Sequence, residues 1–211
     1  GALGQNNITQ YSSPTQIPGT NWTGTYDTMS GAYFTSFAIK TDGTLWSWGY
    51  NGNGELGTNN RTTRSSPVQV PGTTWAVTAS TIGATYAIKT DGTLWAWGYN
   101  VTGALGLNQP ANTRYSSPTQ IPGTTWSKIA TGERNAFALK TDGTLWSWGR
   151  NESGWLGLNE GSNTTSLSKS SPTQISGTTW TSNYAVTQQG VLAIKTDGTL
   201  WSWGKNNNGS L

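Results

Sequence analysis

The sequence predicts an all-β protein, a β-propeller built of four similar blades. Three observations support this prediction: one phrase occurs four times, tryptophan takes the place of many aliphatic residues, and no stretch has helical periodicity. The phrase T-D-G-T-L-W-S-W-G, with Ser changed to Ala in the second copy, begins at Thr41, Thr90, Thr141 and Thr196. The spacings of 49, 51 and 55 residues suit one small antiparallel sheet with its loops, which is the unit of a propeller.

Each repeat contains the same predicted elements. A hairpin runs from A-I-K through the T-D-G turn to L-W-x-W-G, because glycine supplies the positive φ that such a turn needs. A less regular strand is expected at 76–80, 127–131 and 181–186. The S-S-P-x-Q segments, which start at Ser12, Ser65, Ser116 and Ser170, are predicted to be edge strands, since proline lacks one ladder donor. The N-x-x-G-x-L loops should return a leucine to the core.

Composition shows what must fill that core. Only 33% of the residues are hydrophobic and 10% are charged, while there are 13 Trp. Twelve of these Trp fall at three equivalent positions per repeat, and we expect them to be largely buried, since each ring can bury roughly 150–250 Å². Trp155 instead occupies the loop slot of Glu55, Ala104 and Ser210. We therefore expect Trp155 to be the most exposed tryptophan and a candidate contact residue.

The repeats form one predicted domain, residues 1–211, with boundaries near 1–53, 54–102, 103–153 and 154–208. Both ends of the chain fall in the same Gly-x-Leu slot, so the last repeat lacks a following S-S-P-x-Q strand while residues 12–17 offer one. A closed ring, part of a larger propeller and an array joined end to end are the alternatives. We expect the native object to be larger than this chain, through self-association or adjoining repeats.

The stretch from Ala138 to Gly157, A-L-K-T-D-G-T-L-W-S-W-G-R-N-E-S-G-W-L-G, resembles the repeat of the regulator of chromosome condensation family. The resemblance extends over all four repeats and implies a β-propeller, usually of seven blades. It also implies partners, since the founding member stimulates nucleotide exchange on a small GTPase and contacts nucleosomes. Repeats alone do not transfer these activities. The chain departs from the family in having no His, and residues such as Thr35, Thr85, Asn135 or Gly190 hold the corresponding slots.

The titratable residues favour no catalytic chemistry. His and Cys are absent, and four of the nine acidic residues lie in the T-D-G turns. We therefore predict that the chain is not an enzyme, with no catalytic residues, no cofactor and no metal site. The positive charges are dispersed along the chain and the net charge is +3, so we predict no nucleic-acid binding. No apolar run is long enough to predict membrane insertion.

Seven N-x-S/T sequons are candidate glycosylation sites: Asn7, Asn21, Asn60, Asn100, Asn151, Asn163 and Asn208. With the low charge, they favour an extracellular location or the surface of a cell or virion. We therefore expect a non-catalytic extracellular structural or adhesive module that assembles head to tail into a fibre or appendage. Two alternatives stay open. One is a protein-interaction scaffold of the chromosome-condensation-regulator type, with a small GTPase or other partner, and the other is a lectin-like module that binds glycans.

Overall fold

The T-D-G turn of each repeat is held by its own side chains. Asp142 Oδ1 accepts hydrogen bonds from the backbone N–H of Thr144 at 2.9 Å and from its hydroxyl at 2.6 Å. Gly143 has a φ of +79°, which glycine adopts without steric cost. Trp146 Nε1 donates to Thr144 Oγ1 at 2.9 Å and so ties the turn to the next strand. The same bonds recur in the other three repeats, which confirms the predicted hairpin.

The computed structural model describes residues 1–160, 167–188 and 190–206, in which fifteen strands form four antiparallel sheets. Sheet 1 contains β1 (Met29–Ala32), β2 (Thr35–Ile39), β3 (Leu45–Gly49) and β4 (Arg64–Gln69). Sheet 2 contains β5 (Trp75–Ser80), β6 (Ala84–Lys89), β7 (Leu94–Tyr99) and β8 (Arg114–Ile121). Sheet 3 contains β9 (Trp126–Thr131), β10 (Asn135–Lys140), β11 (Leu145–Gly149) and β12 (Lys169–Gln174). Sheet 4 contains β13 (Trp180–Val186), β14 (Gly190–Lys195) and β15 (Leu200–Gly204).

Short 3₁₀ turns occur at Tyr26–Thr28, Val101–Gly103 and Glu152–Gly154. None of the helical segments described is long and apolar enough to cross a membrane.

The four sheets stand side by side around a shared axis, as the blades of a propeller do. Their first strands, β1, β5, β9 and β13, together line a central cavity of about 420 Å³. Burial raises the pKa of Tyr184 on β13 well above its ordinary value, and the charge of Asp27, which precedes β1, raises it further. Substantial contacts join sheet 1 to sheet 2, sheet 2 to sheet 3 and sheet 3 to sheet 4. The predicted all-β propeller architecture, with four blades, is thus confirmed.

Apolar cores lie between neighbouring sheets. The core between sheets 1 and 2 contains Phe37, Ile39, Leu45, Leu56, Val70, Trp75, Ala87 and Trp97. Equivalent clusters lie between sheets 2 and 3 and between sheets 3 and 4. Each inner sheet is therefore apolar on both faces, because it packs against a sheet on either side.

The tryptophans follow the prediction only in part. Eleven of the twelve repeated Trp are buried or half-buried, but Trp201 is 47% exposed and is the most exposed Trp of the chain. The prediction for Trp155 is wrong, because only 5% of this residue is exposed. Its ring packs inward with the Arg150 guanidinium 5.2 Å from the ring centre. The loop position that varies between repeats therefore carries a core side chain at Trp155.

The Asn that opens each N-x-x-G-x-L loop is a buried structural residue. Asn100 Oδ1 accepts the Leu105 N–H at 3.0 Å, and Asn100 Nδ2 donates to two loop carbonyls. Asn51 and Asn151 hold the equivalent leucines in the same way. These leucines are fully buried, so their expected return to the core is confirmed.

One repeated hydrogen bond joins each sheet to the loop before it. The Ala104 carbonyl, in the loop between β7 and β8 of sheet 2, accepts the Trp148 Nε1–H of sheet 3 at 2.9 Å. The same bond joins Glu55 to Trp97 at 2.8 Å, Trp155 to Trp203 at 3.2 Å and Ala2 to Trp48 at 2.9 Å. The N-terminal residues thus take, on sheet 1, the place that a preceding blade's loop takes on the other sheets.

The S-S-P-x-Q segments form three strands and one exposed segment. β4, β8 and β12 are the outermost strands of their sheets, which confirms the edge-strand prediction for them. The prediction is wrong for residues 12–17, which lie in no strand. Sheet 4 has three strands within the described residues, since β15 pairs there with β14 alone. Each complete sheet takes its outer strand from the following stretch of sequence, so the sheets are offset from the predicted repeats.

Candidate protein-binding face

The two ends of the sheets differ in how far their sequences vary. At the end with the T-D-G turns, the turn residues and the lysine before them are the same in every repeat. In sheet 1, Lys40 Nζ lies 5.0 Å from the ring centre of Trp22 and 4.4 Å from that of Trp46. Equivalent lysines lie between two Trp rings in the other sheets. This constancy favours a structural role, because a cation held between two aromatic faces stabilises the turn.

At the opposite end, the turn between the first two strands of each sheet varies. The aligned slots hold Tyr33–Phe34 in sheet 1, Ile82–Gly83 in sheet 2 and Glu133–Arg134 in sheet 3. In sheet 4, the first of the two slots holds Gln188. Adjacent strands of an antiparallel sheet connect at alternate ends, so these turns all lie opposite the T-D-G turns. The sequence differences between repeats are therefore gathered at one end of the molecule.

A constant backbone contact brings a second variable residue to each of these turns. The N–H of the residue after the third strand donates to the turn carbonyl, as in Tyr50 to Phe34 at 2.9 Å. The equivalent bonds join Tyr99 to Gly83 at 2.7 Å and Arg150 to Arg134 at 3.0 Å. The backbone scaffold is thus the same in sheets 1 to 3, while the side chains that it displays differ.

We call this end the divergent face and define it by the variable residues that it displays. They are Tyr33, Phe34, Tyr50, Ile82, Tyr99, Glu133, Arg134, Arg150 and Gln188. A depression of about 450 Å³ at its centre is lined by turn residues of all four sheets. The face is therefore one continuous surface.

Aromatic side chains dominate the face at sheet 1. Tyr33 is 76% exposed, Phe34 58% and Tyr50 47%. The rings of Tyr33 and Phe34 meet edge to face with their centres 5.0 Å apart. Tyr33 also has a φ of +56°, a left-handed conformation that is uncommon for a bulky residue. Large exposed rings on a strained turn are characteristic of contact surfaces.

These rings border a cleft of about 370 Å³ between sheets 1 and 2. Ile82 and Tyr99 form its other wall, and the carboxylate of Glu55 lies buried beside it. Both Glu55 oxygens accept hydrogen bonds from Asn53, one from its backbone N–H and one from Nδ2, each at 2.8 Å. The cleft thus combines apolar walls with a few fixed polar groups, which is the usual make-up of a binding site.

Sheet 3 carries charged residues on the same face. Arg150 pairs with Glu152 through a short contact and lies 3.7 Å from Glu133. Arg134 lies 4.0 Å from Glu133 and lines the aromatic cleft. These residues form a charged patch that belongs to sheet 3 alone. Separate stretches of sequence supply them, and only the fold brings them together.

The candidate glycosylation sites fall into three groups. Asn100 is 1% exposed and Asn151 2%, and both amides are committed to the loops, so the prediction is wrong for these two residues in the folded chain. Asn7, Asn21 and Asn60 lie in accessible or half-buried positions and stay predictions. Asn163 and Asn208 lie outside the described residues.

The described residues include no group of three or more Asp or Glu side chains placed to hold a metal ion. The four turn aspartates are engaged by their threonines. A hydrogen bond from the Thr hydroxyl is the main cause that lowers the pKa of each, followed by the Thr backbone N–H.

The comparisons with known proteins identify the family. The regulator of chromosome condensation (RCC1) repeat model matches residues 42–87, 91–139 and 142–188, and a second RCC1 repeat model matches residues 126–154. These matches cover more than half of the chain, which therefore belongs to the RCC1 repeat family. The family and the propeller fold indicate a binding or regulatory protein. No curated protein matches the sequence significantly.

Solved structures show the same fold. Human WBSCR16 superposes with a TM-score of 0.67 at 21% identity, over 82% of this chain and 45% of that one. Yeast RCC1 (Prp20), solved bound to Kap60, gives a TM-score of 0.69 at 21% identity, over 84% and 43%. The ectodomain of the receptor kinase CR4 from Physcomitrella patens gives 0.51 at 16% identity, over 85% and 41%. The chain spans less than half the length of each of these proteins.

Proposed function

We propose that this chain is a protein-interaction module whose divergent face binds a protein partner. The observation that carries the proposal is the cleft at sheet 1, where exposed Tyr33, Phe34 and Tyr50 lie together on the end at which the repeats differ. A selective contact needs residues that distinguish one blade from the next, and the divergent face supplies them. The T-D-G turns repeat the same residues four times and offer no such distinction.

The chemistry of the face suits a protein surface. Tyr and Phe supply large contact areas with few rotatable bonds, and aromatic anchors in a pocket contribute much of the free energy of protein association. The ion pairs of sheet 3, at Glu133, Arg134 and Arg150, would orient a partner and select against partners of the wrong charge. An aromatic centre beside a charged border is the arrangement found in many protein interfaces.

Among the similar structures, yeast RCC1 (Prp20) was solved bound to Kap60, so a protein with this repeat has a protein partner. That partner is not inferred for this chain, because the identity is only 21%. The extracellular structural or adhesive role gains no support from the comparisons and stays a prediction. The lectin-like alternative has lost its named contact residue, since Trp155 is buried. A glycan array would detect sugar stacking on Tyr33 or Phe34 instead.

Site-specific photocrosslinking tests the proposal. A photoreactive phenylalanine is placed at Phe34 on the divergent face, and in a matched control at Thr73, an exposed residue beside the T-D-G turn of sheet 1. We expect one recurring protein adduct from position 34 and none from position 73. Tyr33→Ala with Phe34→Ala should then weaken binding of the captured protein at least about tenfold, as expected for hot-spot residues, and Thr73→Ala should leave it unchanged.

The proposal is overturned if adducts form equally at both positions. It is also overturned if the double alanine variant binds the captured protein as tightly as the parent does. Circular dichroism of each variant shows that the fold is retained, so that a loss of binding can be assigned to the face itself.

A further inference from the structure

The cleft between sheets 1 and 2 holds a buried carboxylate, Glu55, that pairs with no Lys or Arg among the described residues. We propose that the cleft binds an arginine side chain of the protein partner, with its guanidinium against the tyrosine rings and the Glu55 carboxylate. This inference rests on the proposed function of the divergent face and names the group that the face recognises. All residues that line the cleft lie within positions 32–134.

Glu55 is held in place at both its backbone and its side chain. The backbone carbonyl accepts the Trp97 indole N–H at 2.8 Å and the Thr85 hydroxyl at 3.0 Å. Each carboxylate oxygen accepts one hydrogen bond from Asn53. The Oδ1 atom of Asn53 in turn accepts the Arg114 Nε–H at 2.8 Å, which fixes the orientation of the amide. The carboxylate is therefore positioned before a partner arrives.

The hydrogen bonds from Asn53 leave part of the acceptor capacity of this carboxylate free, since a carboxylate can accept about four. The ion pairs of the described residues involve Glu133, Glu152 and Glu160, and none involves Glu55. Because Glu55 is only 5% exposed, water compensates its charge poorly. A guanidinium is the complementary group, because it presents parallel N–H donors to both oxygens of a carboxylate.

The walls of the cleft suit the flat faces of a guanidinium. Phe34 and Tyr50 supply aromatic surface from sheet 1, and Tyr99 supplies it from sheet 2. Arg114, which does not line the cleft, already lies over Tyr99 with its guanidinium carbon 4.4 Å from the ring centre. The attraction between a cation and an aromatic face is stronger where both are shielded from water. The cleft therefore favours a cation with a flat, weakly hydrated head group.

The loop next to sheet 4 offers an internal comparison. Arg150 and Trp155 hold the slots that Tyr50 and Glu55 hold beside the cleft. The Arg150 guanidinium lies 5.2 Å from the centre of the Trp155 ring, so that loop contains a guanidinium and an aromatic ring from the same chain. Beside the cleft, the same two slots hold a ring and a carboxylate. The guanidinium is thus the component that the partner would bring.

One cation of the chain itself lines the cleft. Arg134 reaches the cleft from sheet 3, with its side chain 37% exposed. The Glu133 carboxylate lies 4.0 Å from Arg134 Nε and offsets part of the charge. That Nε atom is buried and makes no hydrogen bond within the described residues. Arg134 therefore suits an oxygen acceptor next to the arginine of the partner, whereas it repels an isolated guanidinium.

Titration of the full chain with a model compound tests the inference without a partner. The probe is N-acetyl-arginine methylamide, and the matched control is the citrulline analogue, which has nearly the same shape but no charge. Nuclear magnetic resonance of the labelled protein follows the backbone amides of Tyr50 and Glu55. We expect both amides to shift with the arginine compound. The citrulline compound should bind at least about tenfold more weakly, because it lacks the charge that strengthens hydrogen bonds to a carboxylate.

Three variants assign the effect to the cleft. Glu55→Ala should abolish the preference for arginine over citrulline and should keep the fold, because Ala104 holds the equivalent slot in another loop. Arg134→Gln should strengthen binding of the arginine compound, because it removes a like charge from the cleft. Glu160→Ala removes a carboxylate that pairs with Lys169 in sheet 3, and it should leave binding unchanged.

The inference is overturned if the arginine compound does not bind or if the citrulline compound binds equally well. A Glu55→Ala chain that still prefers arginine also overturns it, as does tighter binding of N-acetyl-glutamate methylamide than of the arginine compound. These outcomes leave the proposed function intact, because photocrosslinking at Phe34 does not depend on which side chain of the partner enters the cleft. A chain that selects arginine but forms no adduct at position 34 would contradict the proposed function alone.

Discussion

Each of the three tryptophan positions in a repeat has its own role, as sheet 2 shows. The first, Trp75, meets Trp95 and Trp97 edge to face, with ring centres 6.2 Å apart in both pairs. The second, Trp95, lies half-buried beneath the Lys89 ammonium, 4.6 Å from its ring centre. The third, Trp97, donates from Nε1 to the Glu55 carbonyl of the preceding loop. The third position therefore joins one blade to the next.

Replacing two of these rings should give very different losses of stability. Trp97 is fully buried, so Trp97→Ala should lower the free energy of unfolding by about 3–5 kcal/mol. Trp201 is half exposed but keeps its edge-to-face contact with Trp180 and a contact with Lys195 Nζ, 4.0 Å from its ring centre, so Trp201→Ala should cost less, about 1–2 kcal/mol. Guanidinium unfolding followed by circular dichroism measures both values. Equal losses would contradict the packing described here.

The turn aspartates should make stability depend on pH in the acid range. Hydrogen bonds from Thr144 hold the pKa of Asp142 below its ordinary value of 3.8. A carboxyl group whose pKa is lower in the folded state stabilises the fold above its unfolded pKa, and that contribution is lost as the pH falls through the folded pKa.

We therefore expect Asp142→Asn to be less stable than the parent chain near neutral pH, with the difference shrinking as the pH falls below about 3.8. Unfolding midpoints in urea are measured from about pH 2 to about pH 7, an interval that spans the titration of carboxyl groups. Asp27→Asn serves as the control outside a T-D-G turn. A difference that widens on acidification would show that the turn carboxylate is not stabilised in its charged form.

At the scale of elements, the last Gly of each G-x-L-G loop leaves room for the indole that joins two sheets. Gly106 has a φ of +69°, and a Cβ atom there would lie 2.8 Å from Trp148 Nε1. Gly154 has a similar φ of +72°, but a Cβ atom there would meet no atom of the described residues within 4 Å. The two positions share the backbone conformation and differ in the space around it.

This pair of glycines separates backbone strain from steric overlap. Gly154→Ala should cost about 1–2 kcal/mol, the price of a left-handed conformation for an L-residue. Gly106→Ala carries the same strain and also displaces Trp148, so we expect it to cost at least about 1 kcal/mol more. Thermal and chemical unfolding of both variants provides the comparison. If both substitutions lower the free energy of unfolding equally, the close approach of the Trp148 indole does not contribute to the difference.

At the scale of the whole molecule, the four sheets do not have equal support. Sheets 2 and 3 pack against a neighbour on both sides, whereas sheets 1 and 4 each have one neighbouring sheet in the contacts described. In repeat proteins, the stability of a unit depends on the junctions that it makes. The terminal sheets should therefore open more readily than the central ones.

Hydrogen exchange measured by mass spectrometry should show this gradient. We expect the amides of β6, β7, β10 and β11 to exchange most slowly, and those of β14 and β15 to exchange faster, because opening a terminal sheet breaks one junction instead of two. Equal protection of all four sheets in dilute protein would contradict the gradient.

The sequence by itself determined the hairpins, the propeller class and the family. Asp142 and Thr144, on either side of Gly143, hold their turn by a hydrogen bond between residues two apart. Asn100 holds Leu105 by a hydrogen bond between residues five apart. Such contacts are local, so they can be predicted from the order of residues alone. The four repeated phrases then gave the fold, because equivalent sequences form equivalent sheets.

Only the tertiary structure decided which side chains face solvent and which variable residues meet. Trp155 and Glu55 hold the same slot in the repeat, yet Trp155 packs beneath Arg150, while Glu55 lies beside the aromatic cleft and is hydrogen-bonded to Asn53. The divergent face gathers turns that are about 50 residues apart in sequence. Burial depends on the neighbouring sheet, and a neighbour that distant in sequence leaves no local pattern. The face therefore became visible only when the sheets were placed side by side.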